Sequence, residues 1–147
     1  MLTDRSSIKS GVEDIRERAK GHGRDVGIYA LFHLIVEDTD QEAQKTVDRI
    51  VANADQGAIA NILGSATLDT NKGGTSDTLK AALNKSVEEG NMAFMGIPVI
   101  QGSPKTVAMK IEDIAGDTGI DGMLFSWPDF VGGVKRFGEE VRPLIDG

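Results

Sequence analysis

The chain has no cysteine. Disulfides, thiolate nucleophiles, iron–sulfur clusters and thiolate zinc sites are therefore excluded, and a reducing cytoplasm is the expected location. It has only two histidines, His22 and His33, too far apart for a metal-ligand spacing, so no metal site is expected. Aromatic residues make up only 5% of the chain, and Trp127 is its single tryptophan. Apolar runs are short: the longest, Ile28 to Val36, is interrupted by His33, and nothing here would span a bilayer. The opening MLTDRSS lacks the basic and apolar regions of a signal peptide. Positive charge is also scarce, 16 Lys and Arg against 23 Asp and Glu. The net charge of −7 argues against nucleic acid or an anionic membrane as a partner.

What is present suits a packed core: 147 residues, 39% of them apolar, predict a single domain over residues 1–147. Ser6 or Ser7 starts a helix that carries Ile8, Val12, Ile15 and Ala19 inward, and Gly21 and Gly23 stop it. The cluster Arg16, Arg18, Lys20, His22 and Arg24 lies at the end of that helix, where cations suit the negative end of the dipole. Val26 to Val36 is a continuous branched and aromatic run, the pattern of a strand buried on both faces. Thr39 and Glu42 form a capping box, so a helix follows at once, with Ala43, Val47, Ile50, Val51 and Ala54 on its inner face.

Between residues 56 and 95 the pattern loosens into a lid-like insertion. Ile59, Ile62 and Leu63 predict a short helix, and Leu79 to Val87 predict another. Asp69 to Asp77 is polar and contains Gly73-Gly74, as expected of a mobile lid. It is not a phosphate loop, because no Lys-Ser/Thr signature surrounds the glycines and no strand precedes them directly.

The last fifty residues are the most regular. Ile97 to Ile100 predicts a strand, then Ser103 caps and Pro104 opens a helix with Val107, Ile111 and Ile114 on one side. Met123 to Phe125 predicts a further strand. After Ser126-Trp127-Pro128-Asp129, a final helix carries Phe130, Val134, Phe137 and Val141 on one face, with Asp129 as its cap. Strand, helix, strand, helix with short loops is the rhythm of a parallel α/β protein.

Gly102-Ser103-Pro104, Val107-Ala108, Gly119-Ile120-Asp121-Gly122, Ser126, Asp129-Phe130 and the Phe137-Gly138, Val141, Pro143 finish resemble the C-terminal end of the luciferase-like, flavin-dependent monooxygenases. Gly23 to Ala54 resembles most closely the subgroup that opens the uracil ring, which also has a polar, glycine-containing insertion at this place. Such enzymes are complete (β/α)8 barrels, which need roughly 250 residues. The resemblance therefore implies a partial barrel: about three parallel strands with outer helices, as the sixth, seventh and eighth strands of the whole.

In a parallel barrel the chemistry sits at the carboxyl ends of strands. Those ends hold Glu37 and Asp38, Gln101 and Gly102, and Ser126, Trp127 and Asp129. Gln101, Gly102, Ser126 and Trp127 are the candidate cofactor-binding or cavity-rim residues. Trp127 either borders a flavin ring or substrate there or packs on the last helix. His33 is expected to be a hydrogen-bonded core residue, and the acidic pairs Glu88/Glu89, Glu112/Asp113 and Glu139/Glu140 are expected to be solvated helix faces. The family's flavin contacts lie mainly on strands one to five, which are absent, so no catalytic residue is assigned.

By resemblance the cofactor is FMN, supplied reduced by a separate flavin reductase, and the chain alone binds it weakly or not at all. The expected function is the C-terminal part, truncated or split, of a two-component monooxygenase oxidising a small organic or heterocyclic substrate with O2. The alternative is a non-catalytic, oligomerising remnant that has lost the flavin site. The expected partners are further copies of the chain or a complementary barrel half, and the reductase.

Overall fold

The computed structural model describes residues 5–67 and 92–145. The readings made for residues 69–77 and 79–87 lie outside them. The chain divides into two compact units, residues 1–44 with 98–147, and residues 45–97.

The first unit is built on three parallel strands: β1 (Tyr29–Val36), β2 (Val99–Gly102) and β3 (Gly122–Ser126). Helix α1 (Arg5–Gly21) precedes β1, and α2 (Asp40–Ala52) follows it. The second unit contains α3 (Gln56–Thr67) and a 3-10 turn (Met92–Phe94). Helix α4 (Pro104–Thr118) joins β2 to β3, and α5 (Phe130–Arg136) follows β3. The chain then passes through a π turn (Phe137–Val141) and a 3-10 turn (Arg142–Leu144).

Period-two alternation splits β1 between two faces. Phe32, Leu34 and Val36 enter a core with Ile100 of β2, Val107, Ala108, Ile111 and Ile114 of α4, and Val141. Phe32, Leu34, Val107 and Val141 are completely buried, each stabilising the fold by about 1.5–3 kcal/mol relative to exposure. Ile8 of α1 and Phe137 pack at the edge of the same core. The helices of this unit therefore cover one face of the sheet. On the opposite face Tyr29, Leu31 and Leu124 are exposed, at 62%, 42% and 54%.

Sheet order is β2-β1-β3. His33 to Val36 align with Val99 to Gly102, and Tyr29 to His33 align with Gly122 to Ser126. The three-stranded, parallel, helix-flanked class is the one expected, but the order departs from that of sequential barrel strands, which would place β2 in the middle. Among the described residues no strand precedes β1, and β3 pairs along its second edge instead.

Element limits also shift for identifiable reasons. β1 starts at Tyr29 rather than Val26, because Asp121 already holds Ile28: its carboxylate accepts from the Ile28 N–H (2.7 Å) and its N–H donates to the Ile28 carbonyl (2.8 Å). β2 starts at Val99 rather than Ile97, because Pro98 has no N–H and only accepts, from His33 N (2.9 Å). The final helix does not keep Phe130, Val134, Phe137 and Val141 on one buried face. The wider π turn rotates the chain so that Val141 is fully buried, while Phe130 and Val134 stay 62% and 43% exposed. In α1, Val12 is buried as expected but Ile15 is exposed.

Candidate functional site

The carboxyl ends of the strands gather the polar residues. After β1 the chain runs Glu37, Asp38, Thr39, Asp40. Thr39 Oγ1 accepts from the Glu42 N–H (3.2 Å) and donates to the Glu42 carboxylate (3.1 Å), so Thr39 caps α2 as the sequence implies and its partner Glu42 meets it through the hydroxyl. Asp40 reaches across to the start of α4. Its carboxylate accepts from the Ser103 N–H (2.7 Å) and from the Thr106 hydroxyl (3.0 Å). These bonds, the Ser103 backbone donor first, hold the Asp40 carboxyl below the usual carboxylate range. Ser103 Oγ also caps α4 through Thr106 N (3.4 Å).

Gly102 is required at this junction. Its φ is +150°, and a Cβ there would lie 2.8 Å from Thr106 Cγ2 and 2.9 Å from Asp40 Oδ1. Beside it, Gln101 donates through Nε2 to Gln44 Oε1 (2.6 Å), and its carbonyl accepts from Lys110 Nζ (2.8 Å). Gln101 Oε1 is buried and has no hydrogen-bond partner among the described residues.

Arg136 at the end of α5 binds three carboxylates. It donates to Glu37 (3.5 Å), to Asp38, and to Glu140 (3.1 Å). Burial lowers its pKa, but the bonds to Asp38 and Glu140 outweigh that and the net shift is upward. Arg136 thereby fastens the loop after β1 to the end of α5.

Ser126 and Trp127, adjacent in sequence, are used differently. Ser126 Oγ lies 2.6 Å from His33 Nδ1 in direct cross-strand register. Alternation puts this pair on the face that also bears Leu31 and Leu124. His33 is hydrogen-bonded, as expected, yet its pairing with a candidate site residue was not legible: the bond depends on the β1–β3 register. Trp127 continues the Met123, Phe125 side of β3 and packs against the core. Its ring centroid lies 5.5 Å from Phe130, 6.1 Å from Phe125 and 6.2 Å from Phe137. A Cβ at Gly133 would be 2.3 Å from Trp127 Cγ, so the indole lies directly over that glycine. The indole thus packs on the last helix, one of the two arrangements the sequence suggests for Trp127. Trp127 Nε1 is buried without a partner among the described residues. Asp129 accepts from Gly132 N (3.2 Å) and caps α5 as expected.

Among the described residues no cluster of histidine and acidic side chains could hold a metal ion. No described helix is long and apolar enough to cross a membrane.

A parallel sheet with helices packed on one face and polar residues gathered at its carboxyl edge is a segment of a β/α barrel. Residues 1–122 match the family model described as luciferase-like monooxygenase, and the chain belongs to that family. It is similar to the pyrimidine monooxygenase RutA of Enterobacter sp. (strain 638), 31% identical over 132 residues, which is 90% of this chain and 35% of that protein. Among solved structures, 97% of the chain matches 37% of the EDTA monooxygenase EmoA from Chelativorans sp. BNC1, with a TM-score of 0.72 and 20% identity. It also matches 36% of a riboflavin lyase, RcaE, solved with modified FMN and riboflavin, again over 97% of this chain, at TM-score 0.74 and 21% identity. The chain thus spans about a third of the length of these relatives.

Proposed function

We propose that this chain is the C-terminal part, truncated or split, of an FMN-dependent two-component monooxygenase that oxidises a small heterocyclic substrate with O2. The observation that carries this is a family match over residues 1–122 by a chain whose described residues hold three of a barrel's eight strands. The similarity to pyrimidine monooxygenases supports a heterocyclic substrate, and a separate flavin reductase would supply the reduced cofactor. Gln101, Gly102, Ser126 and Trp127 are this chain's contribution to the cavity rim, and Trp127 also stiffens the end of β3 through its packing on the last helix.

The residues present do not fit the phosphate of FMN. A dianion is best held at a helix N-terminus. At this end of the sheet Asp40 occupies the start of α4, Asp129 caps α5, and Thr39 with Glu42 closes α2. Three starts capped by the chain's own side chains, two of them carboxylates, disfavour a phosphate at these helix ends among the described residues. The chain therefore depends on a partner for its cofactor, and that partner is the complementary barrel half. The same caps favour the second reading, a non-catalytic remnant, if no such partner exists.

Titration of FMN into the chain, alone and with a chain supplying the missing strands, tests this. Alone, the expected Kd is weaker than about 0.1 mM, or about 5.5 kcal/mol. With the complement, tight flavin binding and reductase-dependent substrate oxidation are expected. Micromolar binding by the chain alone would overturn the partner requirement. A complex that forms but neither binds flavin nor turns over would overturn the monooxygenase assignment in favour of the remnant.

A further inference from the structure

The basic cluster at the end of α1 is not explained by the helix dipole alone. The dipole acts on charges within the last turn, which accounts for Arg18 and Lys20. His22 and Arg24 lie beyond it. Three backbone bonds fold them back: His22 N to Ala19 O (3.0 Å), Gly23 N to Lys20 O (3.0 Å) and Arg24 N to Ala19 O (2.9 Å). Gly23, at φ +63°, makes the reversal possible. Arg18, His22 and Arg24 then line one cavity of about 590 Å³, together with Ala19 and Val26. Arg18 is tied at 3.0 Å to Asp14. The side chains of His22 and Arg24 have no hydrogen bond or ion pair among the described residues. In a chain of net charge −7, three basic side chains around one concavity, two of them without a hydrogen bond or ion pair among the described residues, make a local site suited to an anion.

We propose that this cavity binds the phosphate group of a small organic phosphate. Guanidinium forks suit tetrahedral oxyanions better than a lysine would, and His22 adds a third donor. Ala19, Val26 and the arginine stems supply apolar walls for an organic body. The cavity lies where the chain enters β1, at the opposite end of that strand from Glu37 and Asp38, so its occupant is independent of the flavin question.

The test is a titration of the purified chain with inorganic phosphate and phenyl phosphate, followed by the imidazole and guanidinium resonances, with succinate as the carboxylate control. Saturable shifts of His22 and Arg24 are expected, tighter for phenyl phosphate than for phosphate and weakest for succinate. Arg24→Gln should weaken binding at least about tenfold, the loss of one charge-assisted contact, with an unchanged circular dichroism spectrum. His22→Gln should weaken it less. Non-saturable shifts, equal response to succinate, or binding unaffected by Arg24→Gln would each overturn the proposal.

Discussion

Replacing Gly102 by alanine should cost far more than its single methyl group suggests. The new Cβ would lie 2.8 and 2.9 Å from the Thr106 side chain and 2.9 Å from Asp40 Oδ1, whereas ordinary contacts begin at 3.4 Å. Neither neighbour can yield freely, because Thr106 and Asp40 are hydrogen-bonded to each other and to Ser103. A φ of +150° adds backbone strain for any L side chain. Strain of about 1–3 kcal/mol and a comparable overpacking term give about 2–6 kcal/mol, or roughly 6–18 °C in Tm. Gly116 is the control. It is exposed within α4, and a Cβ there meets nothing within 4 Å. Gly116→Ala should therefore stabilise the helix by about 0.5–1 kcal/mol. Thermal melts of both variants, followed by far-UV circular dichroism, should move in opposite directions. A Gly102→Ala variant melting within about 1 °C of the parent would refute the reasoning, since the close contacts would then have relaxed at no cost.

Acid should destabilise the fold through Asp40 and Asp121, both held below the ordinary carboxylate range, Asp121 chiefly by the Ile28 N–H and then by Arg16. A depressed native pKa gives stability that is full above the unfolded value near about 3.9 and is lost as pH falls through the native value. Urea midpoints at neutral and acid pH should therefore converge in D40N/D121N, and an equal acid loss in parent and double variant would refute this. Exposed Tyr29, Leu31 and Leu124, with sheet edges at β2 and β3, predict self-association that L31K/L124K weakens. A monodisperse 15.7 kDa species in light scattering at high concentration would count against it.

Local signals in the sequence were reliable wherever the physics was local. The Thr39, Ser103 and Asp129 caps and the Val107, Ile111, Ile114 stripe all appear as read. Where strands begin depended on partners distant in sequence, as Asp121 on Ile28 shows. The exposed turn of α5 could not be foreseen, because a π turn leaves no mark in a period-3.6 pattern. The candidate site was legible as strand ends but not as contacts. Asp40 closing α4, Arg136 reaching Glu37 and Asp38, and His33 meeting Ser126 all join residues more than sixty positions apart. Alternation from Phe125 could have placed Trp127 on the core side, had the sheet's faces been known.

The position of β3 has a consequence for assembly. In a barrel closed in chain order, the edge of β1 that β3 now occupies belongs to the preceding strand. A partner bringing that strand meets a filled ladder of five aligned residues, from Tyr29–Gly122 to His33–Ser126. Joining two ready-folded halves is then a strand exchange rather than a docking, with an old pairing undone before the new one forms. The His33–Ser126 bond belongs to the pairing that must break. Two parts folding together, before β3 has settled, face no such barrier.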